Sequence, residues 1–187
     1  MQFINNGHLA ETDGIFEIHA DAQTDFFIDR LNNVAKHNAP FAYTEVTGDF
    51  VFSACVEPTF AETYDAGGLF VYADDAHWIK LEFERTDLGY PSIVSVVTDG
   101  ASDDCNGEMM ADVTQVFLQI IRRGDHWALH HSTDDTNWKM ARYFRFPLPE
   151  TVRVGLEAQS PLGKGATARF SHVKLQRREV VDLRKGV

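Results

Sequence analysis

Three features of this 187-residue chain predict an all-β fold. Short alternating or apolar runs recur along its whole length, turn residues separate them, and a single segment carries a helical spacing. Taken in order, the runs cover 15–20, 50–56, 68–72, 78–84, 93–98, 113–122, 127–131, 140–144, 152–158 and 168–175. Gly48-Asp49 opens the second, and Asp74-Asp75 joins the third to the fourth as a short acidic turn. Leu88-Gly89 and Asp99-Gly100 bracket the fifth, Gly124-Asp125 links the sixth to the seventh, and Asp134-Asp135 precedes the eighth. This spacing is that of antiparallel hairpins in a sandwich or barrel. The helix candidate is 25–37, where Phe27, Leu31 and Val34 could share a face, although Asn32-Asn33 and Asn38 weaken it.

Bulk properties narrow the function. Hydrophobic residues make up 44% of the chain, enough for a core without disulfide staples, and Phe leads the aromatics. A net charge of −11 argues against a phosphate-backbone partner, so nucleic acid is not expected. The first residues show neither a basic nor an apolar signal region, and no apolar run reaches the length of a membrane span. A soluble, cytoplasmic protein is therefore expected, with one domain over 1–176 and a charged tail over 177–187. Cys55 and Cys105 lack a neighbouring base in sequence and are expected to be inert thiols.

Several patterns occur together in a fixed order: Thr24-Asp25-Phe26-Phe27, Val46-Thr47-Gly48-Asp49-Phe50, Tyr64-Asp65-Ala66-Gly67-Gly68-Leu69, Trp78-Ile79-Lys80 with Glu84, and Ser95-Val96-Val97-Thr98-Asp99-Gly100 with Ser102-Asp103. Over residues 1 to 176 this set resembles the domain-of-unknown-function family 1349, also called regulation-of-enolase-like. That family sits in the concanavalin A-like lectin/glucanase superfamily. The resemblance implies a jelly-roll sandwich of two curved antiparallel sheets with a ligand site on the concave face. The family pattern tends to follow Ser-Asp with Trp, whereas Asp104-Cys105 follows here, which removes an aromatic from the candidate rim.

The run 78–84 carries the best functional candidates. Ile79, Leu81 and Phe83 face one side of the strand, and Trp78, Lys80, Glu82 and Glu84 face the other. An aromatic ring beside three charges suits a flat polar ligand such as a sugar, and it equally describes a solvated sheet face. Trp78 either stacks on a sugar ring or plugs the sandwich edge. Gln119 on one strand, and Arg153, Glu157 and Gln159 on another, could add donors and acceptors. The leading expectation is a non-catalytic module binding a glycan or small polar ligand through these eight residues. The enzyme alternative is a glycoside hydrolase using Glu82 and Glu84, which alternation spaces by roughly 6.5–7 Å, within the range inverting enzymes use. The superfamily's glucanases carry Glu-x-Asp-x-x-Glu on one strand; here Glu82, Glu84 and Asp87 occupy those positions with identities changed. A protein-interaction domain is the third alternative, resting on the family's name alone.

No metal or other cofactor is expected. His126 and His130 have a helical ligand spacing, but on a strand they stand about 13 Å apart. The paired Asp residues match no calcium loop and read as turn chemistry, most clearly in 132–138, where Asp side chains can bond to turn amides. Gly67-Gly68 precedes a strand and has no Lys-Ser/Thr after it, so close packing or a bulge is expected there.

Overall fold

The computed structural model describes residues 1–186. Sixteen strands account for the regular structure of these residues, and no helix occurs among them. They are β1 (Gln2–Ile4), β2 (Leu9–Thr12), β3 (Ile15–Asp21), β4 (Phe26–Asp29), β5 (Val34–His37), β6 (Phe41–Thr47), β7 (Phe50–Pro58) and β8 (Ala66–Asp74), followed by β9 (His77–Arg85), β10 (Pro91–Asp99), β11 (Ser102–Met109), β12 (Val116–Arg123), β13 (His126–Ser132), β14 (Lys139–Arg145), β15 (Thr151–Gln159) and β16 (Gly165–Gln176). Two antiparallel seven-stranded sheets form a sandwich. The first has the order β1-β6-β15-β8-β9-β10-β11, and the second β14-β13-β12-β7-β16-β3-β2.

The alternation read from 78–84 explains how the sheets meet. Ile79, Leu81 and Phe83 are fully buried in the core between the sheets, with Phe52, Leu118, Ile120 and Trp127 from the opposite side. Gly67 also faces that core: a Cβ there would stand 2.5 Å from the Cβ of Ala168, so the glycine permits the close approach expected of it.

The segment 25–37 is a hairpin, not a helix. Phe26 and Ile28 bury with period two, and Asp29 turns the chain by accepting hydrogen bonds from the amides of Leu31 and Asn32 at 2.9 and 3.1 Å. Asn33 takes a left-handed φ of 54°, which Asn tolerates, and Leu31 is 89% exposed. Phe27 and Val34 belong to the two paired strands and Leu31 to the turn between them, so their helical spacing is a coincidence. This β4–β5 hairpin lies on the outer face of the first sheet, where Phe26 and Ile28 form a second apolar cluster with Phe41, Tyr43, Phe70, Tyr72 and Trp78.

A third cluster lies on the outer face of the second sheet. Val180 and Leu183, from the segment expected to be a charged tail, bury against Val51, Ile121 and Ala128. Asp182 turns this segment by accepting from the amides of Arg184 and Lys185. The last residue of the tail, Val187, lies outside the described residues. No helix among the described residues is long and apolar enough to cross a membrane.

Candidate functional site

The outer face of the first sheet is built in rows set by strand register. Gln159 of β15 and Glu84 of β9 both pair with Ala66 of β8, and Glu157 and Glu82 both pair with Gly68. Lys80 pairs with Phe70 on one side and with Val96 of β10 on the other, and Val96 pairs in turn with Asp104 of β11. Side chains in one row share a face. The small residues Ala66 and Gly68 therefore leave a gap in β8, into which Gln159, Glu157, Glu82 and Glu84 lean from either side.

The gap opens into a hollow of about 180 Å³ lined by Asp25, Phe27, Tyr64, Lys80, Glu84, Val96, Asp104 and Gln159. Asp25 and Phe27 arrive with the β4–β5 hairpin, and Tyr64 with the turn entering β8. Tyr64 has a φ of 69°, a left-handed conformation that costs a non-glycine residue about 1–2 kcal/mol. Its amide donates to the carbonyl of Arg85 at 2.7 Å, which holds the strained turn against β9. Asp65 anchors the same turn, accepting from the amides of Ala61 and Glu62 and from the hydroxyl of Ser160.

A buried polar chain runs along the floor. The Lys80 ammonium donates to Gln159 Oε1 at 2.7 Å and Asp25 Oδ1 at 3.2 Å, and stands 3.2 Å from Glu82 Oε2. Gln159 Nε2 donates to Glu84 Oε2 at 3.3 Å and to the carbonyl of Tyr64 at 3.2 Å. Burial opposes the charge on Lys80, but Glu82, Asp25 and Glu157 outweigh it and raise its pKa. The acids are driven the other way. Burial, followed by the neighbouring Glu82, pushes Glu84 and Glu157 well above the usual carboxyl range. Glu82 is raised by burial against the pull of Lys80. Loss of solvent on the pocket side also raises Asp104, although much of that residue is exposed.

As carboxylates, Glu82 and Glu157 would each bury two oxygens without a hydrogen-bond donor. Protonated Glu157 can donate to ionised Glu82, which already has Lys80 beside it, so the proton belongs on Glu157.

Of the eight residues expected from sequence, five meet at this site: Lys80, Glu82, Glu84, Glu157 and Gln159. The other three do not. Trp78 is 0% exposed, enclosed by Phe26 at 5.8 Å and His37 at 5.3 Å between ring centroids, so it plugs the sheet under the hairpin and offers no surface to a sugar. Gln119 belongs to β12 of the second sheet, buried beneath the C-terminal segment near Gly186. Arg153 lies at the far end of the outer face, its guanidinium over the rings of Tyr43 and Tyr72 at 5.3 and 5.8 Å.

Sequence reasoning missed Asp25, Phe27, Tyr64 and Val96 as lining residues and counted Asp104 only as a lost aromatic. A signal existed for Tyr64, in the Tyr64-Asp65-Ala66-Gly67-Gly68 pattern. Asp25 and Phe27 likewise fall in the Thr24-Asp25-Phe26-Phe27 pattern, but nothing in the sequence places that segment over β9. Cys55 and Cys105 are free and lie on different sheets, with burial raising the Cys55 thiol. The expected Asp turn is present: Asp134 Oδ1 accepts from the amides of Thr136 and Asn137 at 2.9 and 2.7 Å, which lowers its pKa.

The model of one protein family, described as proteins of unknown function (DUF1349), matches residues 4–178. The chain belongs to this family. A relative in Saccharomyces cerevisiae, "Regulation of enolase protein 1", is 26% identical over 162 residues, which are 87% of this chain and 81% of that one. A crystal structure of a functionally unknown protein from Saccharomyces cerevisiae has a TM-score of 0.89 at 24% identity, covering 96% of this chain and 97% of the other. Carbohydrate binding module CBM66 from Bacillus subtilis has a TM-score of 0.63 at 14% identity, covering 94% and 95%. The GH43 protein BlXynB from Bacillus licheniformis has a TM-score of 0.68 at 15% identity, where 88% of this chain spans 33% of that protein. These likenesses establish the fold: the family resemblance and the concanavalin A-like jelly-roll sandwich expected from sequence are both borne out.

Proposed function

We propose that this protein is a non-catalytic binding module for a small polar ligand of the carbohydrate class, held in the hollow between β9 and the β4–β5 hairpin. The observation that carries the proposal is the buried chain Lys80–Gln159–Glu84 on the floor of the hollow, with the rings of Tyr64 and Phe27 on its wall. Binding sites pair a few fixed polar groups with aromatic surface in this way. Its volume suits one sugar ring, since a cavity of about 150 Å³ holds benzene. The likeness to a carbohydrate binding module over nearly its whole length supports the same reading.

The arrangement disfavours a hydrolase built on Glu82 and Glu84. Glu82 is fully buried behind Lys80 and does not border the hollow, so these two carboxyls cannot flank a bound glycosidic oxygen. Screening the purified protein on a glycan array, followed by calorimetry of the hits, tests the proposal. Binding that falls at least about tenfold in Tyr64→Ala and Gln159→Ala supports it, a loss of order 1.4 kcal/mol. Hits that bind all three proteins equally, or no hits at all, overturn it.

A further inference from the structure

We infer that the ligand of this hollow carries a protonated amine, the class to which amino sugars belong. The inference rests on the reading above, that the hollow takes a ring-sized polar ligand, and adds the charge the ligand must bring.

Two independent features point there. The first is the composition of the walls. Asp25, Glu84 and Asp104 line the hollow with carboxyl groups, and Lys80 is the sole cationic residue among the described lining residues. That ammonium donates to Gln159 and Asp25 and is ion-paired with Glu82 at 3.2 Å, so protein groups surround it. An anionic ligand would therefore meet three acids and one ammonium already paired with carboxylates. The second feature lies behind the wall. Glu82 and Glu157, both at least nine-tenths buried, turn to the same side of the sheet, and their four carboxyl oxygens have no hydrogen-bond donor. Together five carboxyl groups surround one ammonium.

A neutral ligand leaves this imbalance untouched while removing water from it, and a cation corrects it. Burial and the crowding of like charges disfavour the ionised forms of these acids, which raises Glu84, Glu157, Glu82 and Asp104. An ammonium placed between Asp25, Glu84 and Asp104 supplies the counter-charge that this wall lacks. Each of its three N–H groups then has a carboxylate to meet, and its ring or carbon frame packs on Tyr64 and Phe27. A bound cation favours the ionised carboxylates of Glu84 and Asp104, so any protons exchanged go to the solvent. The groups that take part are Asp25 from the hairpin, Tyr64 from the turn before β8, Lys80, Glu82 and Glu84 from β9, Asp104 from β11, and Glu157 and Gln159 from β15.

Titration calorimetry at neutral pH, with D-glucosamine, D-galactosamine and D-mannosamine against their neutral parent sugars and N-acetylated forms, tests this. Running each titration in two buffers of different ionisation heat counts the protons exchanged. The expected result is amino sugars binding at least about tenfold tighter than both neutral forms, the effect of one charge-assisted hydrogen bond, without proton uptake. The preference should shrink in Glu84→Gln and in Asp104→Asn; the second residue is exposed, so its substitution leaves folding intact. Equal binding of amino and neutral sugars, or proton uptake, overturns the amine while leaving the carbohydrate pocket standing. Failure of every sugar in the panel to bind overturns both.

Discussion

Glu82 and Glu157 stand on either side of Gly68, each paired with it in register, so no side chain separates their carboxyl groups. A Cβ at position 68 would meet the carbonyl oxygen of Leu81 at 2.5 Å and Cγ of Glu82 at 2.8 Å. The backbone oxygen cannot yield. Gly68→Ala should therefore lower stability by about 1–3 kcal/mol and push Glu82 from its place. Urea denaturation monitored by fluorescence checks the first expectation, and weakened sugar binding the second.

Glu157 and its neighbour Glu84 set a pH dependence. Glu157 and Glu84 have folded pKa values well above the ordinary value of 4.5, so the folded state holds protons that the unfolded chain has released. Their contribution to stability is complete below about 4.5 and disappears as pH rises through the raised folded values. Stability should thus increase as the pH is lowered through those raised values toward 5. Glu157→Gln, whose amide donates to Glu82 as the protonated acid does, should flatten that slope and be the more stable protein at high pH. Denaturation curves across the window decide this, and an unchanged slope in the variant would place the proton elsewhere.

Lys80→Met removes the ammonium from three partners and leaves Asp25 and Glu82 without their counter-charge. Breaking a buried pair in this way costs about 3–5 kcal/mol. The double variant Lys80→Met/Glu82→Gln should recover part of the loss, because the second change removes one stranded charge. A double-mutant cycle by chemical denaturation measures the coupling.

Trp78→Ala should destabilise by about 3–5 kcal/mol, as expected for a large buried ring. Trp78→Phe keeps the ring packing and should retain ligand affinity within about twofold, since affinity differences that small lie below 0.5 kcal/mol. A large drop in affinity for the folded Phe variant would return Trp78 to the binding surface.

Leu183→Asp should detach the C-terminal segment from Val51, Ile121 and Ala128 at a cost of about 1.5–3 kcal/mol, the burial of one large side chain. The hollow lies on the opposite sheet, so binding should be unaffected. Thermal melts paired with calorimetry separate the two readouts.

The alternation in 78–84 shows what sequence carries and what it leaves out. It assigned Ile79, Leu81 and Phe83 to the core and Trp78, Lys80, Glu82 and Glu84 to the other face, and the structure agrees. It could not reveal that this other face is covered. A polar residue alternating with apolar ones looks the same whether water or a distant hairpin lies over it, and β4 reaches β9 across about fifty residues of chain. Gln119 failed for a related reason, because periodicity identifies a strand face without naming its sheet. In 25–37, three apolar residues at helical spacing masked the period-two burial of Phe26 and Ile28, and the turn made by Asp29 decided between them.

Ala66 and Gly68 never touch the hollow's contents, yet their missing side chains are its depth. Any chain of this architecture with bulkier residues at those two places would fill the basin from beneath, whatever its rim contains. A small residue, any residue, and a glycine at the entry of this strand are thus the part of this chain's sequence that keeps its basin open.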